Sequence, residues 1–173
     1  MTNTKYRLIS EDYKEIGGKK LYRIEALKDF GDVKAGSLGG YIESEDNLSR
    51  DGNAWVGGNA WVSDNSWVDG NARVSGNARV NSYARIGENA VVCNNESWLI
   101  VGPIGSRDDF TTFVATADGE IHVSCGCFSG DIDEFEKAVE KTHAGTKHEK
   151  DYKLAIELAK SRIVTAEVNE DEV

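Results

Sequence analysis

Proline occurs once in these 173 residues, at Pro103, which excludes a polyproline or low-complexity chain. Apolar runs are short. The longest, such as Trp98 to Val101, fall far below the roughly 20 residues of a membrane-spanning helix, and nothing at the N-terminus resembles a signal peptide. A cytoplasmic protein with no membrane partner is expected. Cysteine is limited to Cys93, Cys125 and Cys127. Their odd number, and the tightness of Cys125-Gly126-Cys127, exclude an ordinary disulfide framework and agree with a reducing compartment. Histidine is limited to His122, His143 and His148. Positive charge is also short: the net charge is −10, and residues 93–173 hold eight basic against seventeen acidic side chains. Such a surface repels a phosphate backbone, so nucleic acid is not expected as a partner. Neither GxGxxG nor GxxxxGK[ST] is present, so dinucleotide or nucleoside triphosphate machinery is not indicated.

Glycine and asparagine, by contrast, are abundant and periodic. From Asp51 to Val92 the chain reads DGNAWV, GGNAWV, SDNSWV, DGNARV, SGNARV, NSYARI, GENAVV. An aliphatic residue recurs at Val56, Val62, Val68, Val74, Val80, Ile86 and Val92. A small residue stands two positions before each. Both sets must face one interior, and a six-residue period fits a short strand plus a corner, three sides closing one coil. Gly-Asn pairs at the corners tolerate positive φ. This pattern resembles the hexapeptide-repeat left-handed β-helix family, strictly over about a quarter of the chain and loosely back to Leu38. The resemblance implies a fold and not a function, because such helices serve acyltransferases, carbonic anhydrases and structural proteins.

The residue preceding each aliphatic position points outward, giving Trp55, Trp61, Trp67, Arg73, Arg79, Arg85 and Val91 in order. With three hexapeptides per coil, residues eighteen apart stack about 4.8 Å apart, so each face carries one pair: Trp55/Arg73, Trp61/Arg79, Trp67/Arg85. Two readings stand. The pairs are surface cation–π contacts that stiffen a thin prism, or they anchor a subunit interface or an aromatic anion. A three-fold trimer would bury one face.

The fold class expected is mainly β: a short left-handed parallel β-helix (38–95) with an N-terminal β cap (1–37), a small C-terminal α+β module of ββαα type (96–166) and an acidic tail (167–173). In the cap, Tyr6 to Ile9 and Lys20 to Leu27 read as strands around a Gly17-Gly18 turn. The eight-residue step from Leu48 to Val56 reads as a bulge. In the module, strands are expected at Trp98 to Ile104, Thr111 to Ala117 and Glu120 to Ser124, with a two-residue turn at Asp118-Gly119. A helix capped by Asp131 and Glu134 buries Ile132, Phe135 and Val139. A second, from about Glu149 to Ile163, carries Tyr152, Ala155, Ile156, Ala159 and Ile163 on one side, with Leu154 and Leu158 broadening its apolar surface.

No catalytic, metal or cofactor site emerges. A β-helix carbonic anhydrase needs zinc-binding histidines in the coils, and a hexapeptide acyltransferase needs a basic histidine at a coil interface; the repeats contain none. His122 and Cys125 differ by an odd step along one strand, which does not converge them on a metal, and no second cluster completes a ligand set. Small buried or half-buried thiols are the simpler reading. The most suggestive chemistry is the Gly105 to Asp109 loop together with Cys127 to Asp131. Ser106 and Gly105 expose backbone N–H groups, Arg107 offers a planar fork, and Ser129-Gly130 approaches a helix N-terminus, so an anion could be held there. Asp109, Phe128 and His143 complete the candidate ligand-binding set, His143 also standing where a cation meets a helix C-terminus. The alternative is an ion pair from Arg107 to Asp109 or Asp131 that closes two loops.

The segments LYRIEALKDFGDVKAGSLGGYIE, GPIGSRDD, CGCF and FEKAVEKTHAG, with the GNAWV and GNARV repeats, resemble small accessory proteins of phages and prophages of Gram-positive bacteria over nearly the full length. That resemblance brings no catalytic residues. It implies a role against host defence or in host regulation. The expected function is a non-enzymatic, trimeric binding protein, most concretely a sponge for a small anionic nucleotide-derived signal. The alternatives are a protein-binding or structural module whose Trp faces dock a host or virion protein, and a hydrolase of a signal nucleotide using His122 or His143.

Overall fold

Gly17 and Gly18, at φ of 59° and 81°, turn β1 (Tyr6–Ile16) into the antiparallel β2 (Lys19–Ala26), a two-residue loop whose positive φ values match strand twist. The structure is a computed structural model that describes residues 3–165; the acidic tail 167–173 lies outside the described residues. β1 continues beyond the expected Ile9 to Ile16, because a register shift between Ile9 and Tyr13 absorbs the polar Ser10-Glu11-Asp12 stretch. β3 (Leu38–Ile42) pairs antiparallel to β2 and starts the parallel coil. The chain is mainly β, with several sheets and two helices near its C-terminal end. It divides into two units, Met1–Asn95 and Glu96–Val173.

Seven two-residue strands follow: β4 (Trp55–Val56), β5 (Trp61–Val62), β6 (Trp67–Val68), β7 (Arg73–Val74), β8 (Arg79–Val80), β9 (Arg85–Ile86) and β10 (Val91–Val92). They form three parallel ladders, β4-β7-β10, β5-β8 and β6-β9, each advancing eighteen residues. The expected pairs are register partners: Trp55 with Arg73, Trp61 with Arg79, Trp67 with Arg85. Inside, Val56, Val62, Val68, Val74, Val80, Ile86 and Val92 are buried, as are the small residues two positions before them. Each buried aliphatic side chain contributes about 1.5–3 kcal/mol. At the corners the residue at positive φ recurs every six positions, at Gly52, Gly58, Asp64, Gly70, Gly76, Ser82 and Glu88. The asparagines that follow form a ladder of their own: Asn53 Nδ2 donates to Asn71 Oδ1 (3.0 Å), and Asn71 Nδ2 to Asn89 Oδ1 (3.3 Å).

Before Ser49 the spacing is twenty: Tyr41 pairs with Trp61, Ile42 with Val62, and Leu48 bridges Val68. The extra two residues form the expected bulge, and a buried lysine holds it. Lys5 Nζ donates to the carbonyls of Ser49 (3.0 Å), Asp51 (3.3 Å) and Ala54 (2.8 Å), and lies 4.8 Å from the Phe30 ring centroid. Burial lowers the Lys5 pKa to about 8, with the Arg73 charge a second cause. Its three donors meet three acceptors, which is how a lysine with no solvent exposure is accommodated.

The second unit is an antiparallel four-stranded sheet, β11 (Trp98–Ile104), β12 (Asp109–Ala115), β13 (Ile121–Cys125) and β14 (Phe128–Asp131), followed by α1 (Ile132–His143) and α2 (Lys147–Arg162). The module is therefore ββββαα and not ββαα: Gly126, at φ 59°, and Cys127 make a two-residue turn that adds β14 where a loop was expected. β12 starts two positions earlier than expected, since the β11–β12 loop closes at the Ile104–Asp109 pair. The Asp118-Gly119 turn is a three-residue loop, because Thr116 N donates to Glu120 O and Gly119 takes the positive φ. Phe113, Val123, Ile132, Phe135, Val139, Tyr152, Ile156 and Ala159 form the core. Asp131 and Glu134 complete the expected capping box, and Thr146 caps α2. Leu154 and Leu158 remain outside the core, 55% and 49% exposed.

Candidate ligand-binding pocket

The register pair Ile104–Asp109 leaves Gly105 to Asp108 as a tight loop, with Gly105 at φ 77° and Asp108 at φ 47°. The loop presents Ser106 and Arg107 at the mouth of a pocket of about 390 Å³ within the C-terminal unit, a size suited to a small molecule. Its walls are aromatic. Phe128 and Phe135 have ring centroids 5.1 Å apart, Phe135 and Tyr152 5.5 Å, and His143 and Tyr152 5.5 Å with 35° between planes. Asp109, Cys125, Cys127 and Thr142 add polar edges.

Tyr152 reaches the pocket because Gly105 has no side chain: a β-carbon there would lie 1.9 Å from the Tyr152 hydroxyl oxygen. Thr111 Oγ1 donates to Cys125 Sγ (3.2 Å), which in turn donates to Tyr152 Oη (3.7 Å). Burial, with the Cys125 contact adding to it, holds the Tyr152 hydroxyl well above its ordinary pKa, so it stays protonated. The Arg107 guanidinium lies along the Gly126 turn, Nη1 being 3.5 Å from where a Gly126 β-carbon would stand. Arg107 is exposed and makes no hydrogen bond or ion pair among the described residues. The closing ion pair to Asp109 or Asp131 is accordingly not formed; Asp109 Oδ1 accepts from the Phe110 backbone N–H instead (2.7 Å).

Ser106, Arg107, Asp109, Phe128 and His143 thus line one pocket. Ser129 does not join them. Alternation along β13 and β14 turns Cys125 and Phe128 toward the helices and His122 and Ser129 to the other face, where His122 Nε2 and Ser129 Oγ are 2.9 Å apart. The N-terminus of α1 is occupied by its own acids: Glu134 N donates to Asp131 Oδ1 (2.7 Å), and Asp131 N donates to Glu134 Oε2 (3.3 Å). Cys125, Cys127, Phe135, Thr142 and Tyr152 were not among the expected ligand contacts. Phe135 and Tyr152 carry a helical core signal, and the pocket uses the edge of that same core.

In the other unit the three Trp/Arg pairs differ. Trp55 is buried against Phe30, centroids 5.4 Å apart; its partner Arg73 donates Nη1 to Asn53 O (3.0 Å) and pairs through Nη2 with Asp32. Burial lowers the Arg73 pKa. Trp61 is half-buried, and Trp67 is 38% exposed. Among the described residues no three His, Cys, Asp or Glu side chains converge on a metal position, and no helix is long and apolar enough to cross a membrane.

No family model matches the chain. A stretch of 59 residues is 46% identical to the uncharacterized acetyltransferase YdcK of Escherichia coli strain K12, covering 30% of this chain and 18% of that protein. The similarity is partial, and the chain spans under a fifth of its relative's length.

Proposed function

We propose that the protein is a non-enzymatic binder of a small aromatic anion of the nucleotide class, held in the pocket of its C-terminal unit. The observation that carries this reading is an arginine fork that makes no hydrogen bond or ion pair among the described residues, placed at the rim of an aromatic-walled pocket. A planar base suits the Phe128, Phe135 and Tyr152 walls. Arg107 supplies two parallel donors to a phosphate or carboxylate, with Ser106 beside it. Asp109 offers an acceptor to a ring N–H or exocyclic amine. The acidity of residues 93–173 disfavours a polyanion such as nucleic acid while leaving room for one small anion at Arg107.

The setting we propose is sequestration of a nucleotide-derived signal by a phage-encoded protein in the host cytoplasm, with the repeats forming a left-handed β-helix of the hexapeptide type that assembles as a homotrimer. The partial similarity to YdcK and the eighteen-residue ladders support the repeat type.

The acetyltransferase name of that relative favours one second reading, acetyl transfer. Against it stands the placement of all three histidines outside the repeats, which leaves the coils without a general base. Calorimetric titration with a panel of nucleoside monophosphates, triphosphates and cyclic dinucleotides tests the binding reading. Wild type is expected to bind at least one without turnover, and Arg107→Ala to weaken that binding by roughly 10- to 100-fold, as loss of about 1.5–3 kcal/mol of charge-assisted hydrogen bonding implies. Equal affinity in both proteins, or consumption of the ligand, would overturn it.

A further inference from the structure

Two of the three cysteines stand one residue apart at the pocket rim, on either side of a glycine. Cys125 ends β13, Gly126 takes φ 59°, and Cys127 completes the two-residue turn into β14, where Cys125 pairs with Phe128. Both thiols are free, and both line the pocket. Two Cα–Cα steps of 3.8 Å bent at such a turn place residues i and i+2 roughly 5–6 Å apart, inside the window of about 4.4–6.8 Å that a disulfide requires. Cys127 is exposed, so it can meet a dissolved oxidant, whereas Cys125 is half-buried with Thr111 and Tyr152 on its sulfur.

We infer that Cys125 and Cys127 form a dithiol–disulfide couple that resets the pocket. The oxidant is a small-molecule disulfide. The Cys127 thiolate attacks one of its sulfurs, making a mixed disulfide and releasing one small thiolate. The Cys125 thiolate then displaces the second, closing the internal bond. Two electrons pass to the small disulfide, and the two protons given up by the cysteines are carried by its two thiol products. In the oxidised form Cys125 has no S–H to donate to Tyr152, and its sulfur is drawn toward Cys127. The Tyr152 hydroxyl loses a partner in a buried position, and the wall on which a ligand ring would stack is disturbed. The couple itself stands independently of the proposed ligand; its effect on affinity rests on the binding reading above.

The test is equilibration of the full chain, with Cys93→Ser to remove the third thiol, in buffers of graded reduced to oxidised glutathione. The samples are quenched with iodoacetamide and digested without reduction. The expected product is a peptide spanning Cys125 to Cys127 that has lost two hydrogens and carries no alkyl group, with a parallel shift of the Tyr152 ring resonances by NMR. Cys125→Ser is expected to stop at a glutathione adduct on Cys127. A glutathione adduct at Cys127 with alkylated Cys125 in the unmutated pair, even in excess oxidant, would overturn the couple. An internal disulfide with unmoved Tyr152 resonances would overturn its effect on the pocket. If the disulfide and the shift both form while no nucleotide binds either redox form, the binding reading fails and the couple stands.

Discussion

Gly105 shows how much one missing carbon can decide. A β-carbon there would overlap the Tyr152 hydroxyl at 1.9 Å, and φ of 77° is strained for any L side chain. Gly105→Ala is expected to destabilise the protein by about 2–4 kcal/mol in denaturant titrations and to displace Tyr152. Gly119→Ala shares the positive φ but has nothing within 4 Å of its β-carbon position, so it should cost only about 1 kcal/mol. Lys5 gives the pH dependence. Its folded-state pKa of about 8 lies below its ordinary 10.5, so between those values the unfolded chain binds the extra proton. Stability contributed by this residue must therefore rise as pH increases across that window. Comparing wild type with Lys5→Met at pH 7.5, 9 and 10, the difference is expected to move in favour of wild type; a flat difference would show that burial does not govern this lysine.

At the scale of elements, the corner position at positive φ is glycine in four of the seven repeats but Asp64, Ser82 and Glu88 in the others. Ser82 Oγ donates to the neighbouring Asn81 Oδ1 (3.4 Å), while its backbone N–H donates to Asp64 Oδ2 (2.9 Å), a bond that would persist without the side chain. Ser82→Gly is expected to stabilise the coil by about 0.5–1 kcal/mol, seen as a rise in thermal midpoint. This part of the fold was readable because its code is local and repeated: Val and Ala at fixed offsets specify the interior, and eighteen-residue spacing specifies the Trp/Arg pairs. What the spacing does not contain is which pair is covered. Trp55 is buried by Phe30, and Arg73 is held by Asp32, contacts made by a loop some 20–40 residues away whose path no periodicity encodes. β14 escaped for a related reason. Phe128-Ser129-Gly130-Asp131 has weak strand propensity, and only pairing with β13 makes it a strand. Once paired, its alternation separates Phe128 from Ser129, which is why one faces the pocket and the other His122.

For the whole molecule, the division of labour follows composition. The repeats carry almost no net charge and supply rigid parallel ladders, while the acidic second unit holds the pocket and the three histidines. The pocket was partly legible because Ser106 and Arg107 share one loop that Asp109 closes, and Phe128 lies on the strand that follows Cys127. His143, Phe135 and Tyr152 come from two helices, and their convergence depends on the packing of α1 and α2 on the sheet. Native mass spectrometry of wild type and Arg107→Ala, each mixed with an equimolar set of nucleoside monophosphates, triphosphates and cyclic dinucleotides, tests the central claim most directly. Retention of one nucleotide-sized increment per chain by wild type, and its loss from the variant, is the expected result. A wild-type spectrum free of every nucleotide in the set, or equal retention by the variant, would contradict it.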